Sequence, residues 1–259
     1  GVFTLADVAL AKESHNASPL RAPNGSYILW HIGSGGGGSS FAHHAEVPAG
    51  PWYPLRGPRC NNPAPLMLRN GSALCGCNDG GFKIYRTDDV FKGEWSFVTT
   101  MSFPASWGAD AHEYLKNEDP YLWEDYRGNL HLLAHRYDYR DGYPPNPNQT
   151  MPILVSGHGF STDGVTWHFN SERQPYDAVV TFANGTTQPF STFERPHLVF
   201  DHSSGKPTHL VNGVQPYFMG ARGACDGCEA RPGSAHSCVV CKTTAGIDYT
   251  YTLVSKLNT

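Results

Sequence analysis

Short apolar runs separated by proline and glycine dominate the chain, and one order of residues returns four times. Each copy has a polar residue and a proline, an apolar run, a glycine turn and a second apolar run. The copies begin at Ser18-Pro19, Asn62-Pro63, Asp119-Pro120 and Arg195-Pro196. Repeated strand pairs at this spacing are typical of the four-stranded blades of a β-propeller.

Each copy continues into a second strand pair, and tryptophans such as Trp95 and Trp167 follow a turn glycine there. Helical periodicity is confined to residues 109–116. The pattern predicts an all-β chain forming a single β-propeller domain over residues 1–259, of the five-bladed type with about four blades visible. We expect an N-terminal blade to be missing. The predicted blades lie near residues 17–58, 60–105, 117–175 and 190–257.

The charge balance of the chain excludes some classes of binding partner. The chain has 19 Lys+Arg against 23 Asp+Glu and a pI of about 6.3, so it offers no basic surface for nucleic acid or an anionic membrane. No apolar run approaches the length of a membrane span. The first residue is Gly1, which indicates a processed chain or a fragment. We expect neutral molecules such as carbohydrate, or other proteins, as partners.

Asparagine chemistry indicates the compartment. Five sequons for N-glycosylation are present, at Asn16, Asn24, Asn70, Asn148 and Asn184. Their number predicts a secreted, extracellular glycoprotein. Pro19 makes Asn16 the weakest of the five, and the alternative is that the Asn-Gly pairs are only turns.

Seven cysteines support two interpretations. Four have the CxxC–CxxC spacing of a zinc knuckle: Cys225, Cys228, Cys238 and Cys241. In a secreted chain, disulfides among these four and among Cys60, Cys75 and Cys77 are favoured over zinc. The odd cysteine is either free or linked covalently to chain upstream of Gly1.

Two segments resemble glycoside hydrolase family 43 and its five-bladed arabinanase, xylosidase and invertase-type relatives. Residues 117–128 (NEDPYLWEDYRG) resemble the segment around a site aspartate, and residues 193–198 (FERPHL) resemble the segment that carries the general acid. The resemblance implies that Glu194 is the acid and that Asp119 orients the substrate and tunes that acid. The alternatives are a turn cap for Asp119 and a salt bridge with Arg195 for Glu194.

The catalytic base is missing from the expected place. It should lie in the unit that begins at His15, where Asn16 and Ser18 carry no carboxylate. The chain therefore lacks hydrolytic power, takes its base from an upstream blade, or uses a substitute carboxylate such as Asp7, Asp79 or Glu13. Asn62, Arg195 and His197 are expected to bind substrate near the pore. The mixed polar and aromatic segment with Tyr137 and Tyr139 is expected to contact glycan at the edge.

No metal or cofactor is predicted, because no Asp-x-Asp-x-Asp run is present; a pore ion such as calcium and zinc at the CxxC pair are the alternatives. The sequence supports a secreted carbohydrate-active propeller that hydrolyses a glycoside or polysaccharide by acid-assisted catalysis. The competing hypothesis is a non-catalytic glycan-binding or structural subunit of an extracellular coat or filament, which would self-associate. The third hypothesis is an interaction module stabilised by zinc.

Overall fold

Strands form all the regular structure in the described part of the chain. The computed structural model describes residues 15–33, 40–78, 81–104, 115–138, 156–170, 172–216 and 251–257, and no helix occurs among them. No helix in this described part has the length and hydropathy that crossing a membrane requires. Leu115 and Lys116, the last residues of the short stretch with helical periodicity, open a strand.

The strands of the described residues form four antiparallel sheets of four strands each, ordered along the chain. The first contains β1 (His15–Arg21), β2 (Tyr27–Ile32), β3 (Ser40–Ala45) and β4 (Tyr53–Leu55). The second contains β5 (Ala64–Met67), β6 (Ala73–Asn78), β7 (Phe82–Thr87) and β8 (Ser96–Thr100). The third contains β9 (Leu115–Glu124), β10 (Leu130–Asp138), β11 (Ser156–Ser161) and β12 (His168–Phe169). The fourth contains β13 (Val179–Thr181), β14 (Thr187–Phe200), β15 (Pro207–Pro216) and β16 (Tyr251–Lys256).

The chain divides into two compact units, which we describe separately. Unit 1 comprises residues 1–103, 118–134 and 158–169, and unit 2 comprises residues 104–117, 135–157 and 170–259. The Asp119 segment therefore belongs to unit 1 and the Glu194 segment to unit 2.

The glycine turns of the repeat close tight hairpins. In the first, the amide of Gly25 donates to Ala22 O at 2.9 Å, and Gly25 has a φ of 88°, a left-handed value that favours glycine. Asn24 Oδ1 accepts bonds from the backbone amide and the hydroxyl of Ser26, at 3.0 and 2.7 Å. Asn70 with Ser72 and Asn184 with Thr186 repeat this arrangement. The Asn-Gly-Ser/Thr sequence thus fits the turn as well as the glycosylation sequon.

The core of unit 1 is built around Trp30. This side chain is 1% exposed and packs edge-on against Trp95, with ring centroids 5.7 Å apart. A Cβ at Gly57 would lie 2.0 Å from Trp30 Cη2, so only glycine allows the chain to pass this ring. Elsewhere Gly76 of β6 faces Leu122 of β9 in a second apolar cluster. Unit 2 has its own cluster of Ala178, Phe190, Phe193 and Val214.

Three buried cysteines lie together in unit 1. Cys60 and Cys77 form a disulfide, and all three sulfur atoms of Cys60, Cys75 and Cys77 lie within 4.8 Å of one another. Cys75, grouped with the disulfide cysteines by the sequence, is a free thiol, and burial raises its pKa well above its usual range. Cys225, Cys228, Cys238 and Cys241 lie outside the described residues.

Candidate functional site

Among the residues that the structure describes, four other than glycine adopt left-handed backbone conformations, one in each copy of the repeat. They are Asn16, Asn62, Asp119 and Arg195, with φ values of 53°, 41°, 49° and 50°. Asn and Asp tolerate this region better than most residues, but each such residue still costs on the order of 1 kcal/mol. The surrounding structure must therefore hold these four residues in place, which is typical of functional positions.

This conformation corrects the register of the first repeat. Asn16 precedes Gly25 by as many residues as Asn62 precedes Gly71 and Asp119 precedes Gly128. The equivalent of Asp119 in the first sheet is therefore Asn16, whereas the sequence pattern had aligned Ser18. The mistake arose because Asn16 is followed by alanine, while the other three left-handed residues are followed by proline. The corrected position still carries an amide and no carboxylate.

In unit 1 these residues form a hydrogen-bonded group, the amide–carboxylate cluster, made of Asn16, Asn62, Glu118 and Asp119. Asn16 Nδ2 donates to Asn62 Oδ1 at 2.5 Å and to Asp119 Oδ1 at 3.3 Å. Asn62 Nδ2 donates to Glu118 Oε1 at 3.0 Å. Asn62 and Asp119 are buried, and the other two are half-buried. The left-handed residues, Asn16 in β1, Asn62 just before β5 and Asp119 in β9, and Glu118 beside Asp119, bring polar groups from three sheets together.

The cluster offers both kinds of hydrogen-bonding group. An amide donates and accepts, whereas an ionised carboxylate only accepts. Sugar hydroxyls do both, so a set of two amides and two carboxylates is chemically suited to them. It also supplies carboxylates that could take up a proton, which neither Asn16 nor Asn62 could do.

In unit 2 the segment with Glu194 forms a second group. Arg195 Nη1 donates to Glu194 Oε2 at 2.8 Å, so the salt bridge that the sequence gave as an alternative is present. His197 Nδ1 lies 3.2 Å from Arg195 O, and burial lowers the pKa of His197. Asn212 Nδ2 on β15 donates to Glu194 O at 3.2 Å.

His135 of β10 also belongs to unit 2 and is 2% exposed. Burial, and after it the charge of Arg195, lowers its pKa to about 3. The imidazole is therefore neutral over the whole ordinary pH range. It is a buried polar ring near the arginine, able to accept or donate a hydrogen bond without carrying charge.

Sequence reasoning gave no site role to His135 or Asn212. The available signal was a polar residue that directly follows a short apolar run inside a strand, Leu132-Leu-Ala134 before His135 in β10 and Leu210-Val211 before Asn212 in β15. Polar side chains are rarely buried without a hydrogen-bond partner or a functional role.

Several predicted site residues cannot be placed. Tyr139 and Asn148 lie outside the described residues, and for Tyr137 only the strand backbone is described. The expectation that Asp119 and Glu194 face one cavity stays a prediction, because the two belong to different units.

Among the sequon asparagines, Asn16 uses its Nδ2, the atom to which a glycan would attach, for hydrogen bonds within the cluster. Asn24, Asn70 and Asn184 instead lie on exposed turns.

Together, four sheets of consecutive antiparallel strands and the four copies of the sequence repeat define a β-propeller, as the sequence predicted. No protein-family model matches the sequence, and no curated protein matches it. Several solved structures are similar to this protein in fold. A thermostable family-43 glycoside hydrolase is similar with a TM-score of 0.51 at 13% identity, over 76% of this chain and 64% of that one.

Two further structures support the same fold. A family 43 protein (GH43) retrieved from a capybara gut metagenome matches with a TM-score of 0.52 at 11% identity, over 80% of this chain and 37% of that one. The GH43B protein of the Bacteroides ovatus xyloglucan PUL matches with a TM-score of 0.50 at 16% identity, over 79% of this chain and 37% of that one. The chain therefore has a propeller fold of the family 43 type. It spans well under two thirds of these last two proteins.

Proposed function

We propose that this protein is a carbohydrate-active propeller that hydrolyses glycosidic bonds with acid assistance. The observation that carries the proposal is the amide–carboxylate cluster, which concentrates sugar-complementary groups on backbone conformations that cost free energy to maintain. The neighbouring structures of similar fold are described as glycoside hydrolases, which is consistent with a glycan substrate.

Hydrolysis requires a carboxylic acid that protonates the leaving oxygen and a second carboxylate that activates water or attacks carbon. The resemblance assigns the acid to Glu194 and the tuning role to Asp119. Since Asn16 occupies the first-sheet position, Asp119 and Glu118 are the candidates that the amide–carboxylate cluster offers for the second carboxylate. Each of these is oriented by an amide donor, Asn16 for Asp119 and Asn62 for Glu118.

A second candidate, glycan binding without cleavage, is favoured by two observations. An amide stands where the reaction would need a base, and the bond from Arg195 to Glu194 stabilises the charged form of a residue that must carry a proton to act as acid. A binding propeller of this kind would serve as a subunit of an extracellular coat or filament. Self-association in light scattering is expected under this second function only.

We further propose that the protein is secreted and glycosylated. The Cys60–Cys77 disulfide supports an oxidising compartment, and the exposed turns at Asn24, Asn70 and Asn184 are accessible to modification. Mass spectrometry of native material should find glycan at one or more of these residues. Unmodified peptides at all three would contradict the proposal.

The deciding experiment incubates the full chain with xyloglucan, xylan and arabinan and measures both new reducing ends and bound polysaccharide. Hydrolysis that falls at least a hundredfold in Glu194→Gln, and also in Asp119→Asn or Glu118→Gln, supports the enzyme. Binding without new reducing ends, weakened by Asn62→Ala, supports the second candidate. An exposed-residue variant, Glu172→Gln, is the control for both. Neither binding nor cleavage of any glycan would refute both functions.

A further inference from the structure

Two histidines on neighbouring strands of the third sheet place ring nitrogens side by side. His131 Nδ1 on β10 lies 3.1 Å from His158 Nε2 on β11. Imidazole nitrogens bind a transition-metal ion at about 2.0–2.1 Å, so two of them on one ion are about 2.9–3.4 Å apart for bond angles between octahedral and tetrahedral. The pair therefore already has the separation that two ligands of one ion require.

A carboxylate sits behind this pair. Asp125 Oδ2 lies 3.4 Å from His131 Nε2, the ring nitrogen that faces away from His158. A carboxylate in this place holds the proton on Nε2, so that the lone pair of Nδ1 points toward the second histidine. This carboxylate–imidazole arrangement is the usual support of a histidine that binds metal.

Asp125 is itself held firmly. Its Oδ1 accepts the backbone amides of Arg127 and Asn129 at 2.8 and 2.9 Å, and its Oδ2 accepts Asn129 Nδ2 at 3.0 Å. Burial acts to raise the pKa of Asp125, but these bonds and the one from His131 outweigh it and lower the pKa. The support is thus a fixed anion.

The rings are also fixed by packing. Trp123 of β9 stacks on His131 with centroids 4.8 Å apart and an angle of 13° between the planes, and its centroid is 5.8 Å from that of His158. The His131 side chain is 18% exposed, which leaves an ion open to water for its remaining coordination positions. Pre-organised rings lose little entropy on binding.

We propose that His131 and His158 form a binding site for a divalent transition-metal ion, with Asp125 as the residue that orients His131. Imidazole ligands suit Zn²⁺, Ni²⁺ and Cu²⁺, and Cu²⁺ binds most tightly. Without metal, one hydrogen bond joins the two nitrogens; the ion replaces that hydrogen, and the proton of His158 moves from Nε2 to Nδ1. The site is separate from the amide–carboxylate cluster, because Asp125 follows the last residue of β9 and is six residues, or roughly 20 Å of extended chain, from Asp119.

The test is titration of the full chain with CuCl₂ and with ZnCl₂, followed by calorimetry and by tryptophan fluorescence. Relative to wild type, His131→Ala and His158→Ala should each lose one binding event, and Asp125→Asn should bind about 10- to 100-fold more weakly. His168→Ala removes an exposed histidine of the same sheet and should bind normally. Thermal unfolding without metal identifies any variant that does not fold.

Trp123→Phe provides a readout independent of the ligand substitutions. Cu²⁺ bound beside Trp123 should quench its fluorescence, so this variant should retain the binding event and lose that part of the quenching. Binding that is the same in His131→Ala, His158→Ala and His168→Ala would overturn the proposal. So would quenching that is unchanged in Trp123→Phe.

Discussion

Replacing Asn16 by Asp converts a hydrogen-bond donor of the amide–carboxylate cluster, Nδ2, into an acceptor oxygen and leaves the shape of the side chain unchanged. Asn16 Nδ2 donates to Asn62 Oδ1 and, at 3.3 Å, to Asp119 Oδ1. In the variant an oxygen takes the place of that nitrogen. The new oxygen then faces the acceptor Oδ1 of Asn62, and the new carboxylate faces the negatively charged carboxylate of Asp119.

The size of the effect follows from the competition between repulsion and protonation. Two charges 3.3 Å apart repel by about 5 kcal/mol at an effective dielectric constant of about 20. The pair can escape by taking up one proton, which restores a hydrogen bond between the two side chains. At pH 7.5 protonating a carboxyl with an ordinary pKa near 4 costs about 4–5 kcal/mol, and at pH 4.5 it costs less than about 1. We therefore expect Asn16→Asp to lower the free energy of unfolding by about 2–4 kcal/mol at pH 7.5 and by about 1 kcal/mol or less at pH 4.5.

Urea unfolding followed by tryptophan fluorescence at the two pH values measures this difference. The matched control is Asn24→Asp, because on that exposed turn only Oδ1 is used, as an acceptor for Ser26. Its free energy of unfolding should change by less than about 0.5 kcal/mol at either pH. Equal stability of Asn16→Asp and wild type at pH 7.5 would show that Asn16 does not face Asp119, and the reasoning about the cluster would fail.

Three further predictions concern stability. As the pH falls from about 6.5 toward 3, His135 takes up a proton in the unfolded chain but not in the folded one, so this group should lower the free energy of unfolding by up to about 1.4 kcal/mol per pH unit. In acid unfolding curves His135→Gln should therefore lose stability less steeply than wild type. An identical slope would contradict the pKa of about 3. Gly57→Ala should lower the free energy of unfolding by about 1–3 kcal/mol through its clash with Trp30, whereas Gly213→Ala, with no atom closer than 4.0 Å, should have little effect; equal midpoints in urea would count against this packing. Replacing Cys60 and Cys77 together by Ser should cost about 3 kcal/mol, because the bond closes a loop between residues 17 apart, while a non-reducing digest that finds Cys75 in the bridge would refute the pairing.

The repeat shows what local sequence determines. Alternating apolar runs, Asn-Gly turns and prolines specify strands and hairpins through short-range conformational preferences, and the structure confirms the all-β propeller fold.

The site depended on tertiary structure. No sequence rule placed Asn16 opposite Asp119, since they are far apart in the chain and meet only through a left-handed backbone conformation in separate sheets. The same holds for His131, because the ring nitrogen 3.1 Å from its Nδ1 belongs to His158 on the neighbouring strand, 27 residues further along the chain. Residue types fixed which chemistry was available, while strand pairing and packing decided which of those groups lie within hydrogen-bonding distance.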